Sequence, residues 1–288
     1  MLQNLTRRVC YLPADPRTDR PVLGAVVGEH ALAMIDAGNS PAHVDLFLRG
    51  LAEFGLRRPD YVTLTHWHWD HTFGAQALDA PLIAHDETRR VLAEMAAWDW
   101  GDAAIEQRVV DGSEIAFCRD MLTAEWPDRS DLAIRVPDIT FEGEMTLHLG
   151  GADCRLLHVG GDHSTDSTVV HVPQEGVVFL GDCVSPDLHH GPWRYTLEQV
   201  LRLTDCLMAL DATWYVFAHD DHPWSRSEFG AHVDALRSVG RYVETERPSR
   251  EELIARLPKL LGRAPSADDV QEAEAFLAGL SPWAPDCV

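Results

Sequence analysis

No two of the six cysteines stand in a C-x-x-C spacing. They are scattered at positions 10, 118, 154, 183, 206 and 287, which suits reduced thiols better than a disulfide framework. Positive charge is scarce: 24 Lys and Arg face 46 Asp and Glu, for a formal net charge of −22. That balance disfavours general attraction to nucleic-acid phosphates or anionic lipid, so no nucleic-acid or membrane partner is expected. An anionic substrate would need a local positive centre. No uninterrupted apolar run approaches the roughly 18 residues of a membrane span, and the N-terminal Met-Leu-Gln-Asn-Leu-Thr-Arg-Arg lacks the basic-then-apolar order of a secretion signal. A soluble protein of a reducing cytoplasm is the expectation. The composition, 45% hydrophobic and 24% charged with 17 prolines and 20 glycines, is close to the globular average and excludes disordered and fibrous classes. What the chain has in excess is histidine, 15 copies in 288 residues and many of them clustered, so the search for chemistry starts there.

The apolar pattern predicts an α/β fold. Val22 to Val27 and Ala31 to Ile35 read as a hairpin joined by Gly28-Glu29-His30. Ser40-Pro41 then opens an amphipathic helix with Val44, Phe47, Leu48, Leu51 and Phe54 on one face, stopped at Gly55. Tyr61 to Leu64 is a strand, Phe73 to Leu78 looks helical, Pro81 to Ala84 is another strand, and a helix over 87 to 97 follows. Residues 98 to 137 hold no sustained period and read as an insertion, for which two roles fit: a lid over a site or a homodimer contact. Strands return at Ile139, Met145 to Leu149, Cys154 to Val159, Ser167 to Val172 and Val177 to Leu180, followed by a helix over 196 to 210 and a strand over Trp214 to Ala218. Beyond Pro223 three helices each begin at a capping serine, 227, 249 and 266. Two halves of similar order, each strands then helix, suggest two sheets packed together: one domain over 1 to 222 with a C-terminal helical extension over 223 to 288 packed upon it.

The segment Thr65-His66-Trp67-His68-Trp69-Asp70-His71 has the form H-x-H-x-D-H directly after a strand. Imidazole and carboxylate are donors suited to zinc, iron or manganese. In a loop leaving a strand, His66 and His68 can face one side while Asp70 and His71 turn to the other, so one segment can feed two adjacent metals. Three later positions each put a His or Asp at a strand end or turn: His163 in Gly161-Asp162-His163-Ser164, Asp182 in Gly181-Asp182-Cys183, and His219 in Ala218-His219-Asp220. His222 competes with His219, which is preferred because it follows its strand directly. If these strands share an edge with residue 64, all seven side chains converge where α/β ligand sites lie.

This pattern resembles the metallo-β-lactamase-fold hydrolase superfamily, with a metal site similar to that of glyoxalase II. Ile35-Asp36-Ala37-Gly38 resembles the family's upstream strand-end aspartate. The resemblance implies a four-layer αββα sandwich and two divalent metal ions, zinc foremost, with iron or manganese as alternatives. It implies His66, His68 and His163 on one metal, Asp70, His71 and His219 on the other, Asp182 bridging, and Asp36 holding a ligand from behind. Two such cations lower the pKa of a shared water toward neutrality, giving a hydroxide that attacks a small ester, thioester, lactone or related substrate, with Asp70 also able to guide a proton. True β-lactamase subclasses use a cysteine ligand or lack the bridging aspartate. Here Asp182 holds the strand end and Cys183 follows it, which favours the general hydrolase branch. Ser185 and Pro186 stand where quorum-quenching lactonases carry a tyrosine, and the next tyrosine is Tyr195. Around the ligands, Trp67, Trp69, His189, His190, Trp193 and Tyr195 are candidate pocket residues for a small-molecule substrate, with packing the competing role for the two tryptophans of the ligand segment. Two other classes compete: a mononuclear iron oxidoreductase similar to the persulfide dioxygenases, and a non-catalytic metal-binding module.

Overall fold

A computed structural model describes residues 1–281; Cys287 and the end of the stretch expected over 223 to 288 lie outside the described residues. Two sheets form the centre. The first holds β1 (Gln3–Asn4), β2 (Val9–Leu12), β3 (Leu23–Val27), β4 (Leu32–Ile35), β5 (Tyr61–Thr63), β6 (Leu82–His85) and β7 (Ile139–Phe141) in that spatial order. The second runs β13 (Trp224–Ser225), β12 (Trp214–Phe217), β11 (Val177–Gly181), β10 (Thr168–Val172), β9 (Asp153–His158), β8 (Glu144–His148). Helices α1 (Pro41–Glu53), α2 (Trp69–Thr72), α3 (Asp86–Met95), α4 (Asp102–Asp111) and α5 (Ala116–Glu125) belong to the first half. Helices α6 (Leu197–Ala209), α7 (Arg226–Glu246), α8 (Arg250–Leu261) and α9 (Ala267–Gly279) belong to the second.

Strand alternation sorts side chains into layers. Leu23 and Ala25 of β3 and Leu32 and Met34 of β4 join Val44, Phe47 and Leu51 of α1 on one face. Their neighbours Val26, Ala33 and Ile35 point the other way and meet Leu156, Val170, Val172, Val177 and Phe179 of the second sheet. Beyond that sheet, Val169, Val178 and Leu180 pack on Leu203, Leu207, Phe229, Leu236, Leu253 and Phe276 of helices α6 to α9. The layers therefore run helix, sheet, sheet, helix: an αββα sandwich.

The local signals explain the elements. The Ser40 hydroxyl accepts from the His43 backbone N–H at 3.1 Å and starts α1 with Pro41 in its first turn. Ser225, Ser249 and Ser266 each form a capping box, with Glu228, Glu252 and Asp269. The first of these helices thus starts two residues ahead of the expected Ser227, because Glu228 stands three positions after Ser225 and closes the box there. Sheet packing is close where Gly28 sits: a Cβ there would meet the Leu149 carbonyl oxygen at 2.0 Å. Residues 69 to 72 form a helical turn rather than loop, while the helical segment expected over 73 to 78 is a 3₁₀ helix over 73 to 77. In each sheet the earlier strands of the chain, β1 to β4 and β8 to β11, pair antiparallel with their neighbours. Parallel pairing is confined to β4 through β7 and to β11 with β12, so the halves are mixed sheets. The insertion folds into α4 and α5, whose Ile105, Cys118 and Leu122 complete the outer core of the first sheet. No helix among the described residues is long and apolar enough to cross a membrane.

His43 of α1 is 1% exposed, and its Nδ1 has no hydrogen-bond partner. Burial first, and then the Arg20 guanidinium, lowers its pKa to about 3. The unfolded chain takes up a proton near pH 6.5 that the folded chain refuses, so this group's contribution is complete above that pH and is lost as the pH falls. Between pH 7 and about 5 it should cost about 2 kcal/mol of stability. Urea unfolding of wild type and His43→Gln at both pH values checks this: the variant should lose measurably less on acidification.

Candidate metal centre

The ends of β4, β5, β11 and β12 meet at one edge of the sandwich. The parallel pairs put Asp36, Thr65 and His66 of one sheet opposite Asp182 and His219 of the other, and the β9–β10 turn adds His163. A tight crossing permits this. Gly181 has φ +53, and a Cβ there would lie 2.7 Å from the Thr65 hydroxyl, so glycine is required at the crossing.

Two groups of donors result. His66, His68 and His163 form one; Asp70, His71, Asp182 and His219 form the other. In each group one ligand atom per residue lies within 4.8 Å of the rest. His163 Nε2 is 3.0 Å from His68 Nδ1. Asp70 Oδ2 lies 3.0 Å from His71 Nε2 and 3.2 Å from His219 Nε2. Asp182 stands between the groups: its Oδ2 is 3.1 Å from His71 Nε2, 3.4 Å from His219 Nε2, 3.7 Å from His163 Nε2 and 3.8 Å from His66 Nε2. The helical turn at 69 to 72 carries Asp70 and His71, whose ligand atoms group with Asp182 and His219 rather than with His68 and His163. All but His219 are buried; its side chain is 37% exposed on the open side.

The far nitrogens of four rings are tied down. His71 Nδ1 pairs with Asp36 Oδ2 at 2.8 Å, His66 Nδ1 lies 3.1 Å from the Thr65 hydroxyl, and His163 Nδ1 lies 3.1 Å from the Pro186 carbonyl. His219 Nδ1 is 3.4 Å from Asp19 Oδ1. Such partners fix ring orientation and direct the other nitrogen into the site. Asp19 and Thr65 were not evident in the sequence. Asp19 lies in an irregular stretch, at φ 55, with Asn39 Nδ2 donating to the neighbouring Thr18 carbonyl at 2.8 Å. The signal available for Thr65 was only its place one residue before the histidine segment. Asp19→Ala is expected to weaken metal retention about tenfold with the fold intact. A chelator competition beside circular dichroism checks it.

The electrostatics suit cations. Burial, joined by neighbouring imidazoles, lowers the pKa of His66 and His68; burial also lowers that of His163, so these rings are neutral donors. At His71 burial opposes protonation, but Asp70, Asp36 and Asp182 outweigh it and raise the pKa well above the usual value. At His219 burial is likewise outweighed, by Asp182 and Asp70. Burial of Asp182 would favour its neutral form, yet His219 and His71 hold it ionised. His66 Nε2 is buried with no hydrogen-bond partner. An orphaned imidazole nitrogen beside compressed carboxylates and further imidazoles is a donor set that fits divalent metal, and an apolar reading of this core edge does not account for it.

The other candidates divide. A cavity of about 330 Å³ opens beside His68 and His163, and Trp67, His189 and His190 line it, with Arg194 and Thr196. Trp69, Trp193 and Tyr195 do not line this cavity. Trp69 is buried against Phe73, Trp193 is exposed, and Tyr195 is in the core, stacked on Phe276 with its hydroxyl donating to the Val184 carbonyl at 2.8 Å. His222 stands outside both donor groups, beside Asp221 and Glu228. His85, His158 and His171 bond backbone carbonyls and are structural. Cys183, beside Asp182, is a free, buried thiol.

A family model described as the metallo-beta-lactamase superfamily matches residues 18–224. Among curated proteins none matches the chain. Solved structures do. A metallo-beta-lactamase family protein from Thermus thermophilus is 22% identical, covers 95% of this chain and 93% of its own, and has a TM-score of 0.58. A metallo-beta-lactamase from Pontibacter korlensis is 18% identical, covers 81% of this chain and 96% of its own, at 0.55. The stereoselective inverting sec-alkylsulfatase Pisa1 from Pseudomonas sp. is 12% identical and covers 99% of this chain, which spans 52% of that longer one, at 0.64. These likenesses show the fold, and the family match extends over well more than half of the sequence, so the chain belongs to the metallo-beta-lactamase superfamily.

Proposed function

We propose that the protein is a dinuclear metal-dependent hydrolase of small esters, thioesters, lactones or related substrates, with His66, His68 and His163 holding one ion, Asp70, His71 and His219 the other, and Asp182 shared. One observation carries this: a single carboxylate oxygen, Asp182 Oδ2, lies within 3.8 Å of imidazole nitrogens from both donor groups. A pair of divalent ions bound there supplies an activated water at neutral pH and polarises the scissile group, so no serine or cysteine nucleophile is needed. The protein's own part is to hold the donors and the substrate. Asp36, Thr65, Asp19 and the Pro186 carbonyl orient the rings. Asp70, between His71 and His219, would also guide a proton. Trp67, Arg194 and Thr196 give the cavity an aromatic wall, a cation and a hydroxyl, which suits a small, partly apolar substrate with an anionic end. Sulfate esters join the candidate classes through the alkylsulfatase neighbour.

The test is elemental analysis of the purified protein together with a panel of ester, thioester, lactone and sulfate-ester substrates. At least two metal equivalents with metal-dependent turnover of at least one class is the expected result. Iron near one equivalent with thiol-dependent oxygen uptake would replace this reading with an oxidoreductase one.

A further inference from the structure

The insertion and the loop after Asp182 meet at three side chains that the seven-donor centre does not use. Glu114 stands just ahead of α5, Cys118 lies in its first turn, and His189 belongs to the loop that lines the cavity. One ligand atom from each lies within 4.8 Å of the other two. Cys118 is buried and free; Glu114 and His189 are half-buried, with His189 Nδ1 3.8 Å from Glu114 Oε1. The backbone helps hold them. Glu114 Oε1 accepts from the Ile115 N–H at 2.9 Å, and the His189 N–H donates to Asp187 Oδ1 at 3.0 Å.

We propose that Glu114, Cys118 and His189 form a separate binding site for one borderline divalent cation such as zinc. Thiolate, imidazole and carboxylate are all zinc donors, and three of them leave a fourth position for solvent. Charge favours the placement. The His189 ring is 4.6 Å from that of His68, so an ion here sits close to the main centre, where an uncompensated dication would be repelled. One thiolate and one carboxylate cancel its charge, which the neutral donors of the His66 group do not do for theirs. The ligands come from two segments far apart in the chain, so an ion here fastens the α4–α5 insertion to the loop over the cavity. It thereby fixes the wall that His189 provides. This inference does not depend on the hydrolase reading.

The seven donors of the main centre include no sulfur, which makes cobalt a selective probe. The full-length protein, freed of metal, is titrated with Co²⁺ and followed by absorbance. We expect a thiolate-to-cobalt charge-transfer band in the near ultraviolet, carried by one equivalent. Cys118→Ser should abolish the band and that equivalent, and Cys183→Ser should retain both. Glu114→Gln and His189→Ala should keep the band but weaken cobalt binding at least about tenfold. Absence of the band in wild type overturns the proposal, as does its persistence in Cys118→Ser. If that variant does not fold, unchanged cobalt affinity in both Glu114→Gln and His189→Ala overturns it. Unchanged turnover on altering Asp182 would overturn the hydrolase reading and leave the band untouched, so the two readings fail separately.

Discussion

Replacing Asp182 by alanine is expected to lower metal-dependent turnover by about a thousandfold or more and to reduce the metal held by the seven-donor centre below two equivalents. The carboxylate reaches both donor groups, so its loss weakens both positions together and removes one of the charges facing the His71 and His219 rings. No comparable effect on the fold is expected. The side chain is short and adds nothing to the three apolar layers, and the neighbouring Cys183 and Leu180 remain buried. Steady-state kinetics, elemental analysis and a urea melt on the same preparation separate these effects. Turnover equal to wild type at full metal loading would remove the dinuclear hydrolase reading.

A second large effect is expected at Asp36, which does not line the cavity beside His68. It is 2% exposed, and its carboxylate accepts from the Thr65 backbone N–H at 2.7 Å and the Thr65 hydroxyl at 3.0 Å, and pairs with His71 Nδ1 at 2.8 Å. Asp36→Ala strands all three donors in a dry site. The expected costs are about 3 kcal/mol of stability and a ten- to hundredfold loss of metal affinity. Asp36→Asn should be milder in stability, because an amide oxygen still serves Thr65, yet nearly as harmful to metal binding when its N–H₂ faces His71 Nδ1. Denaturant melts and chelator competition on both variants check the split. Equal metal affinity in wild type and Asp36→Ala would show that the His71 ring is held by packing alone.

The family pattern was legible because it is local. H-x-H-x-D-H sits within six residues, and the later ligands each follow a strand, a position that periodicity reveals without coordinates. The capping serines of α8 and α9 were legible for the same reason, while that of α7 was displaced by two residues. The aromatic residues of the loop after Asp182 were not legible. An irregular segment has no period to say which way a ring points, and Tyr195 turned into the core against Phe276 while Trp193 turned to solvent.

The residue types of the centre, their strand ends and the layered α/β class belong to the amino-acid sequence, since donor chemistry and apolar alternation are properties of neighbouring residues. Which donors share one oxygen, and that Asp19, Thr65, Glu114 and Cys118 stand around them, belongs to the packing of two sheets whose ends lie more than a hundred positions apart, His71 and Asp182 being separated by 111. Contacts at that separation depend on how whole layers stack through the Ile35, Val170 and Phe179 core, and no local pattern records them.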